Sequence, residues 1–186
     1  MKSIISIFLF TFLYHVSNHS VLAQNNEKKL RICLEVDALP YATGGNFAAI
    51  TFGSDKIRLR ALVTKVYMPA FITPKQFKEN TIQSYAILGD YFFKNCDKGF
   101  WIGGGLVKWN GNIKEKTSNQ AVDYESFLLN GSFGYHIPLS EHLYLSPWAG
   151  MSLRIGGSKN IQVMGKTFSP ALLNPEASIK IGFQFF

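Results

Sequence analysis

The sequence predicts an all-β fold, an eight-stranded antiparallel up-and-down transmembrane β-barrel. Three observations lead to it: turn residues divide the chain into segments of strand length, most segments alternate apolar and polar residues, and the connections alternate between short and long. Each segment is close to the roughly 9 to 11 residues with which a tilted strand crosses a bilayer. The segments are 30–41, 46–54, 56–68, 83–94, 99–110, 124–137, 142–155 and 174–186.

The alternation has a period of two residues, which is the period of a strand and not of a helix. In the last segment one face carries Ala177, Ile179, Ile181, Phe183 and Phe185, and the other carries Ser178, Lys180, Gly182 and Gln184. The third segment alternates only as far as Thr64. In the fifth segment the run GGG predicts a bulge or a bend.

The connections predict which end of the barrel is which. Those after the second, fourth and sixth segments are tight (SDK, NCDKG and PLSEH), whereas those after the third, fifth and seventh are long: 69–82, 111–123 and 156–173. The connection ATGG after the first segment is the exception among the long set. Short turns at one end and long loops at the other are typical of outer-membrane barrels, and eight strands bring both termini to the short-turn end.

The N-terminus predicts export. Residues 1–23 hold one lysine, an apolar run from Ile4 to Tyr14 and the small-residue site Val21-Leu22-Ala23, the pattern of a cleaved signal peptide. The apolar run is too short for a membrane-spanning helix. We therefore expect a signal peptide over 1–23 and a barrel domain over 24–186.

The composition agrees with a membrane barrel, and the net charge indicates which classes of partner it favours. Charged residues make up 17% of the chain, below the roughly 25% of ordinary soluble domains, and the formal net charge is +7. A positive surplus favours phosphate groups of lipid or nucleic acid. Export leaves lipid as the partner, and no nucleic acid is expected; lysines that simply keep loops solvated are the plainer interpretation.

The alternation alone does not determine whether the apolar face of the barrel wall points inward or outward. A secreted barrel of the lipocalin type turns its apolar face inward around a hydrophobic ligand, whereas a membrane barrel turns it outward. The polar faces here are rich in glycine and serine, which suits a narrow filled lumen. Aromatic residues of the apolar face cluster at the short-turn ends, as an interface girdle does, and two more mark the opposite interface. The first group is Phe52, Phe93, Phe100, Tyr135, Phe183 and Phe185, and the second is Tyr85 and Phe127.

The last residues, IKIGFQFF, resemble the C-terminal signature of bacterial outer-membrane barrels, in which a final phenylalanine ends an alternating strand. The mature chain as a pattern is similar to small eight-stranded barrels of the OmpA or OmpX type. The resemblance implies a bacterial outer-membrane location and recognition of Phe183, Phe185 and Phe186 by the barrel insertion machinery. Here Phe185 carries the apolar parity and Phe186 lies one step beyond it.

The charged residues on the polar faces predict a network that fills the lumen, because buried charges must be paired. Lys180 on the last strand is expected to approach Glu35 and Asp37 on the first. A barrel of eight strands has room for side chains but not for a wide channel. The predicted lumen residues are Arg31, Glu35, Asp37, Arg58, Arg60, Asp90, Arg154 and Lys180.

The long loops carry lysines that are expected to face lipopolysaccharide phosphates on the outer surface. These lysines are Lys75, Lys78, Lys114, Lys116, Lys159 and Lys166. Binding functions usually lie in loops. The sequence therefore predicts a structural, adhesive or surface-binding role with an unidentified loop partner.

An enzyme is the third alternative, because the barrel class includes lipid A-modifying enzymes. The mature chain offers only His136 and His142, on either side of a turn that also holds Ser140 and Glu141. A turn provides no rigid oxyanion hole, and the histidine spacing is too generic for zinc. We expect no enzymatic activity, no cofactor and no metal.

Two cysteines complete the sequence-based expectations. Cys33 lies in the first segment and Cys96 in the turn after the fourth. In a closed barrel these positions are expected on nearly opposite walls, beyond the roughly 7 Å between Cα atoms that a disulfide allows. Two free thiols are predicted.

Overall fold

The computed structural model describes residues 30–96 and 98–185. The predicted signal peptide over 1–23 and the terminal Phe186 lie outside these residues and remain predictions. The elements are β1 (Arg31–Asp37), α1 (Ala38–Ala42), β2 (Asn46–Ser54), β3 (Ile57–Tyr67), β4 (Phe77–Phe92), β5 (Gly99–Glu115), β6 (Ala121–Pro138), β7 (Leu143–Gly157), β8 (Ile161–Val163), β9 (Lys166–Phe168) and β10 (Leu173–Gln184).

Eight of the strands close into a barrel in the order β1 to β7 and then β10, each antiparallel to its neighbours. The strands β8 and β9 form a separate hairpin within the last long connection. The predicted eight-stranded up-and-down barrel is confirmed. We call the end that carries the connections 68–76, 116–120 and 158–172 the outer end, and the opposite end the short-turn end.

The apolar face of the barrel points outward. Ile57, Leu106 and Phe100 are 67%, 63% and 63% exposed, whereas Glu35 and Arg60, on the opposite parity, are each 1% exposed. A strand places successive side chains on opposite faces, so this contrast is the expected result of its period. The sidedness is that of a membrane barrel and is the reverse of a soluble carrier with an apolar interior.

Strands β4, β5 and β6 are longer than the sequence predicts. Residues 77–82, 111–115 and 121–123 were expected in long loops but pair as strands, so the expected loops 69–82 and 111–123 shrink to 68–76 and 116–120. The extension rises above the rest of the barrel. Its inner face packs against the β8–β9 hairpin through a buried cluster: Phe77, Ile113, Tyr124, Val163 and Phe168. This cluster explains why the extra residues are strands, because they bury apolar side chains.

The expected irregularity at Gly103–Gly105 is absent, since β5 keeps a continuous register there with both neighbours. A Cβ atom on Gly103 would lie 2.3 Å from Asp90 Oδ1, and one on Gly105 would lie 2.2 Å from the Ile87 carbonyl oxygen. These glycines therefore permit close contacts inside the wall. Register shifts occur instead between Lys78 and Thr81 and between Phe127 and Leu128.

The closing seam is short, and a helix completes it. The strand β1 pairs with β10 from Cys33–Gln184 to Asp37–Lys180 only. The first segment was expected to continue as strand to residue 41, but Ala38–Ala42 form α1, for which Asp37 is the N-cap. The Leu39 amide donates to Ser178 Oγ on β10 at 3.0 Å. The helix α1 thus gives β10 a polar partner where β1 ends.

Among the described residues, no α-helix has the length and apolar character needed to cross a bilayer.

Candidate functional site

Four charged side chains meet in the lumen on strands β1, β3 and β4. Arg58 Nη1 lies 3.1 Å from Glu35 Oε1 and its Nε lies 2.9 Å from Asp90 Oδ2. Arg60 Nη2 donates to the same Asp90 oxygen at 2.7 Å, and Arg60 Nε lies 3.0 Å from Glu35 Oε2 as an ion pair without hydrogen-bond geometry. All four residues are at most 2% exposed. The two acids and two bases balance each other's charge, which a buried cluster requires.

Aromatic rings fill the space beside these four residues, which we call the ion cluster. The Arg58 guanidinium lies 4.9 Å from the centre of the Phe92 ring, and that of Arg60 lies 5.2 Å from the centre of the Trp101 ring. The Tyr144 hydroxyl donates to Glu35 at 2.8 Å, and its ring stacks on His136 at 3.9 Å. Cation–π contacts and aromatic packing therefore occupy the lumen at the short-turn half of the barrel.

Lys180 does not form the ion pair that the sequence predicts. It is the direct cross-strand neighbour of Asp37, but among the described residues no carboxylate oxygen lies within 4.0 Å of its Nζ. Its ammonium group lies 4.0 Å from the Trp148 ring centre. Asp37 accepts instead from Trp148 Nε1 at 2.8 Å and from the Ser178 hydroxyl. The Trp148 indole takes the place of the expected carboxylate because its ring face contacts the Lys180 ammonium group while its N–H group donates to Asp37.

The other two predicted lumen residues lie nearer the ends of the barrel. Arg31 donates to Cys96 Sγ at 3.1 Å near the short-turn end. Arg154 donates to the Ser158 carbonyl at 2.6 Å near the outer end. The sequence reasoning missed Glu176, which accepts from Ser152 Oγ at 2.9 Å. The predicted segment 174–186 includes Glu176, and its parity with Lys180 was the available signal, but the faces were assigned only from Ala177 onward.

The outer wall changes character at one row of residues in β3–β6. Val63, Tyr85, Lys108 and Phe127 are successive cross-strand neighbours in this row. Toward the short turns the outward side chains are apolar. Toward the outer end β4, β5 and β6 instead carry polar outward side chains: Glu79, Thr81, Gln83, Asn110, Asn112, Lys114, Asp123 and Glu125. The row therefore marks the outer border of the apolar wall.

Beyond this row, Glu115 fastens the hairpin to the barrel. Its carboxylate accepts from the Thr117 amide at 2.7 Å and from the Ser118 amide, and it pairs with Lys166 on β9. The hydrogen bond from Lys166, with those from the two amides, lowers the pKa of Glu115 to about 2. The side chain of Glu115 is 2% exposed although that of Lys166 is 37% exposed.

Tyr124 anchors the same region from inside. Its hydroxyl donates to Asn80 Oδ1 at 2.8 Å, and its ring contacts that of Phe168 with centres 5.2 Å apart. Burial raises the pKa of this phenol to about 12. Together with Glu115 and the buried cluster, it makes the outer end an ordered surface, which we call the outer platform: the outer parts of β4, β5 and β6 with β8 and β9.

The six lysines predicted to face lipopolysaccharide lie beyond the border row, and half of them are not in loops. Lys78, Lys114 and Lys166 lie in β4, β5 and β9. Lys114 and Lys166 pair with Glu79 and Glu115. Lys75, Lys116 and Lys159 lie in the connections. The sequence reasoning missed Lys65 and Lys108, which lie at or next to the border. It lost the alternation of the third strand after Thr64, and it considered only lysines in the long loops, whereas Lys108 lies within the fifth strand.

The aromatic residues expected at the short-turn interface all point outward. Phe52, Phe93, Phe100, Tyr135, Phe183 and Phe185 are between 41% and 63% exposed. The rings of Phe100 and Tyr135 pack edge to face at 4.6 Å, and those of Phe183 and Phe185 at 5.1 Å. The chain therefore carries an aromatic girdle where an interface requires one.

The two histidines lie on different faces of the wall. His136 points into the lumen against Tyr144, whereas His142 stacks on the outward Phe183 at 5.7 Å. Ser140 Oγ accepts from the amides of His142 and Leu143. No hydrogen bond joins Ser140 to either histidine ring in the described part of the chain, and no group of three metal-binding side chains occurs there.

The two cysteines are free, as predicted, and both are buried. Their expected separation on opposite walls is wrong. Cys96 folds under the barrel toward β1 and β2, where its Sγ accepts from Arg31 and would lie 3.2 Å from a Cβ atom on Gly53. The turn reaches inward because Cys96 packs with Phe92 and Trp101.

No protein-family model matches the sequence, and no curated protein is similar enough in sequence to match it. Among solved structures, the N-terminal β-barrel domain of OprF from Pseudomonas aeruginosa matches with a TM-score of 0.55 and 11% identity over 86% of this chain and 100% of that chain. Neisserial surface protein A matches with a TM-score of 0.48 and 11% identity, over 84% and 94% of the two chains. The first likeness and the closed strand order show that the chain has the fold of a small eight-stranded outer-membrane β-barrel.

Proposed function

We propose that this protein is an integral protein of a bacterial outer membrane that has a closed lumen and acts through its outer platform in a structural, adhesive or surface-binding role. The observation that carries the proposal is the sidedness of the barrel: apolar side chains cover its outer wall, and a charge-balanced ion cluster fills its interior. An apolar outer wall of this kind is favourable in the hydrocarbon core of a bilayer.

The lumen is proposed not to conduct. Arg58, Arg60, Asp90 and Glu35 bridge β1, β3 and β4, and the Tyr144 hydroxyl extends the contacts to β7. Trp101 is fully buried beside them. An ion that crossed this layer would have to displace paired charges that are costly to separate.

The outer platform is the part of the molecule proposed to meet partners. It is held together by its buried cluster and by the Glu115–Lys166 pair, so it presents a fixed surface. Beside it, the connection 68–76 exposes Phe71 (88%) and Ile72 (55%). Exposed apolar side chains next to an ordered surface are typical of interaction sites.

Export by the predicted signal peptide, insertion through Phe183 and Phe185, and the lack of an enzymatic activity belong to the same proposal. The outward position of both phenylalanines supports recognition of the last strand from outside the barrel. The separation of His136 from His142 supports a role other than histidine-activated hydrolysis, since that chemistry needs a nucleophile next to its base.

Two measurements on one preparation test the proposal. The membrane fraction of expressing cells is separated on a detergent gel with and without boiling, and the purified protein is added to planar bilayers. We expect an outer-membrane band that shifts on boiling and no stepwise current, with a 16-stranded porin as the conducting control. A soluble protein without a shift would overturn the membrane location, and regular conductance steps would overturn the closed lumen.

A further inference from the structure

We propose that the outer wall of β3–β6 binds one phosphorylated glycolipid of the outer leaflet, with a phosphate between Lys65 and Lys108 and an acyl chain in the apolar depression next to them. This inference rests on the proposed membrane location. It moves the expected lipid contact from the loop lysines to two lysines on the wall itself.

Lys108 occupies the position where a lipid phosphate meets the wall. It points outward from β5, with Tyr85 on one side and Phe127 on the other as direct cross-strand neighbours. Aromatic rings of this kind mark the headgroup level of a bilayer. The Lys108 ammonium also lies 5.6 Å from the Phe127 ring centre. Its long stem can lie along the apolar wall while its charge reaches the headgroups.

Lys65 supplies a second charge on the same wall. It follows Val63 on the outward face of β3, and Val63 is the cross-strand neighbour of Tyr85. Its ammonium lies 5.1 Å from the Tyr67 ring centre, and no carboxylate oxygen of the described chain lies within 4.0 Å of it. Lys108 faces Tyr85 directly, whereas Lys65 faces Gln83 and lies diagonally to Tyr85, one outward residue pair nearer the outer end. Two amines and a phenol are donors suited to a phosphate.

In the described part of the chain, one acid lies within 4.0 Å of either lysine, and it competes only weakly with a phosphate. Glu125 Oε1 lies 3.1 Å from Lys108 Nζ, but the two side chains are 55% and 40% exposed. Exposed ion pairs contribute little to stability, because water screens them. A phosphate with up to two charges can therefore replace or join Glu125 at little cost.

An apolar depression adjoins Lys108 and gives the site its lipid character. It has a volume of about 1090 Å³, and Lys108 itself forms part of its lining. It extends along the outer wall from β1 to β7, and the outward side chains nearest to the two lysines include Ala48, Ile50, Ala61, Val63, Tyr85 and Phe127. The small side chains of Ala48 and Ala61 leave room beside Ile50 and Val63 for a hydrocarbon chain.

The charges of Lys65 and Lys108 and the apolar depression together determine which ligand fits the site. A free phosphate would use the lysines but leave the depression empty, and a zwitterionic phospholipid would present its own amine to Lys65 and Lys108. A glycolipid with phosphates on its sugar and several acyl chains matches both the lysines and the depression. Because it belongs to the outer leaflet, it also meets the barrel at the height of the border row.

Native mass spectrometry of the full mature protein in detergent tests the site with three probes: bisphosphorylated lipid A, the same lipid without phosphates, and phosphatidylethanolamine. We expect one molecule of the first to bind more tightly than either of the others. The double variant Lys65→Gln/Lys108→Gln should weaken lipid A binding by about 30-fold, since each lysine near an anionic lipid contributes a factor of about five. The matched control is Lys75→Gln/Lys159→Gln, which removes the same charge from two exposed connections.

A second variant tests the depression separately. Ala61→Phe fills the wall between Ile50 and Val63 without changing charge, and its outward position leaves the lumen untouched. It should weaken lipid A binding while both variants keep the gel shift on boiling.

Equal losses in the control pair, or equal binding of lipid A with and without phosphates, would overturn the phosphate site. Displacement of lipid A by millimolar inorganic phosphate, or unchanged binding in Ala61→Phe, would overturn the lipid as occupant. A wild-type protein that shifts on boiling but binds no lipid A would end this inference alone and leave the proposed membrane location standing.

Discussion

Arg58 and Asp90 face each other across β3 and β4, and their side chains meet inside the barrel with Nε 2.9 Å from Oδ2. The same Asp90 oxygen also receives Arg60 at 2.7 Å. One carboxylate therefore serves two guanidinium groups that are at most 2% exposed. The barrel wall is held from inside by charges whose partners are on neighbouring strands.

Replacing Asp90 by asparagine should strongly destabilise the barrel. It removes the carboxylate and leaves Arg58 and Arg60 with Glu35 alone, which places an excess positive charge in a buried layer. Breaking a buried ion pair in this way costs about 3–5 kcal/mol. Urea unfolding in micelles, followed by the loss of the heat-modifiable band, measures the change. Glu141→Gln, in an exposed turn, should stay within about 0.5 kcal/mol of the wild type, and equal losses in both would contradict the role of the cluster.

The sequence is sufficient to predict the barrel because the pattern that defines it is local. The last strand alternates Ile179, Ile181 and Phe183 with Lys180 and Gly182, and this pattern shows which side chains share a face. The number of such strands then predicts a closed barrel. Hydrophobic period and turn spacing are properties of short stretches. The lumen charges on β1, β3 and β4 were predictable for the same reason.

The outer end was not predictable from period alone, because its strands depend on distant residues. Phe77, Ile113 and Tyr124 are buried by contact with Val163 and Phe168, which belong to a hairpin about 40 residues or more further along the chain. Likewise, the contact of Lys180 with Trp148 rather than with a carboxylate depends on the pairing of β10 with β7, which places Trp148 opposite Ser178. Such non-local contacts leave no periodic signal in the sequence.

Gly182 on β10 should tolerate no side chain. A Cβ atom there would lie 2.0 Å from Tyr144 Cζ, and that ring cannot move freely because its hydroxyl binds Glu35 and its face stacks on His136. Overpacking of this kind costs about 1–3 kcal/mol, so Gly182→Ala should unfold at lower urea than the wild type. Gly131→Ala is the matched control, since a Cβ atom there meets nothing within 4 Å. A Gly182→Ala protein as stable as Gly131→Ala would show that Tyr144 does not cover this glycine.

Acid should loosen the hairpin before it unfolds the barrel. Glu115 has a pKa of about 2 in the folded protein against an ordinary value of 4.5, so its stabilising effect is complete above about pH 4.5 and is lost as pH falls toward 2. Hydrogen exchange, expressed as protection factors, should show β8 and β9 losing protection across that interval. Glu115→Gln should lower their protection already at pH 7 and flatten the pH dependence.

The control for this prediction is Glu79→Gln. Glu79 also has a lowered pKa, owing to its hydrogen bond with Lys114, but the pair lies on the outward side of β4 and β5, away from the hairpin. Its replacement should leave the protection of β8 and β9 unchanged. A hairpin that keeps full protection down to pH 2 in the wild type would mean that the Glu115–Lys166 pair does not hold it.

Both thiols should resist modification while the barrel is folded. Cys33 and Cys96 are each 5% exposed, and Cys96 is enclosed by Phe92, Trp101 and the Arg31 guanidinium. Buried cysteines of this kind are inert because reagents cannot reach them. A polyethylene glycol maleimide should therefore add nothing to the unboiled protein and two units after boiling without reductant, since the cysteines are unpaired. Lys116→Cys, in an exposed turn, should gain one unit before boiling and so prove that the reagent is active. Labelling of the native cysteines in the folded band would show that the short-turn end opens, and a single unit or none after boiling would show that a thiol is already bonded.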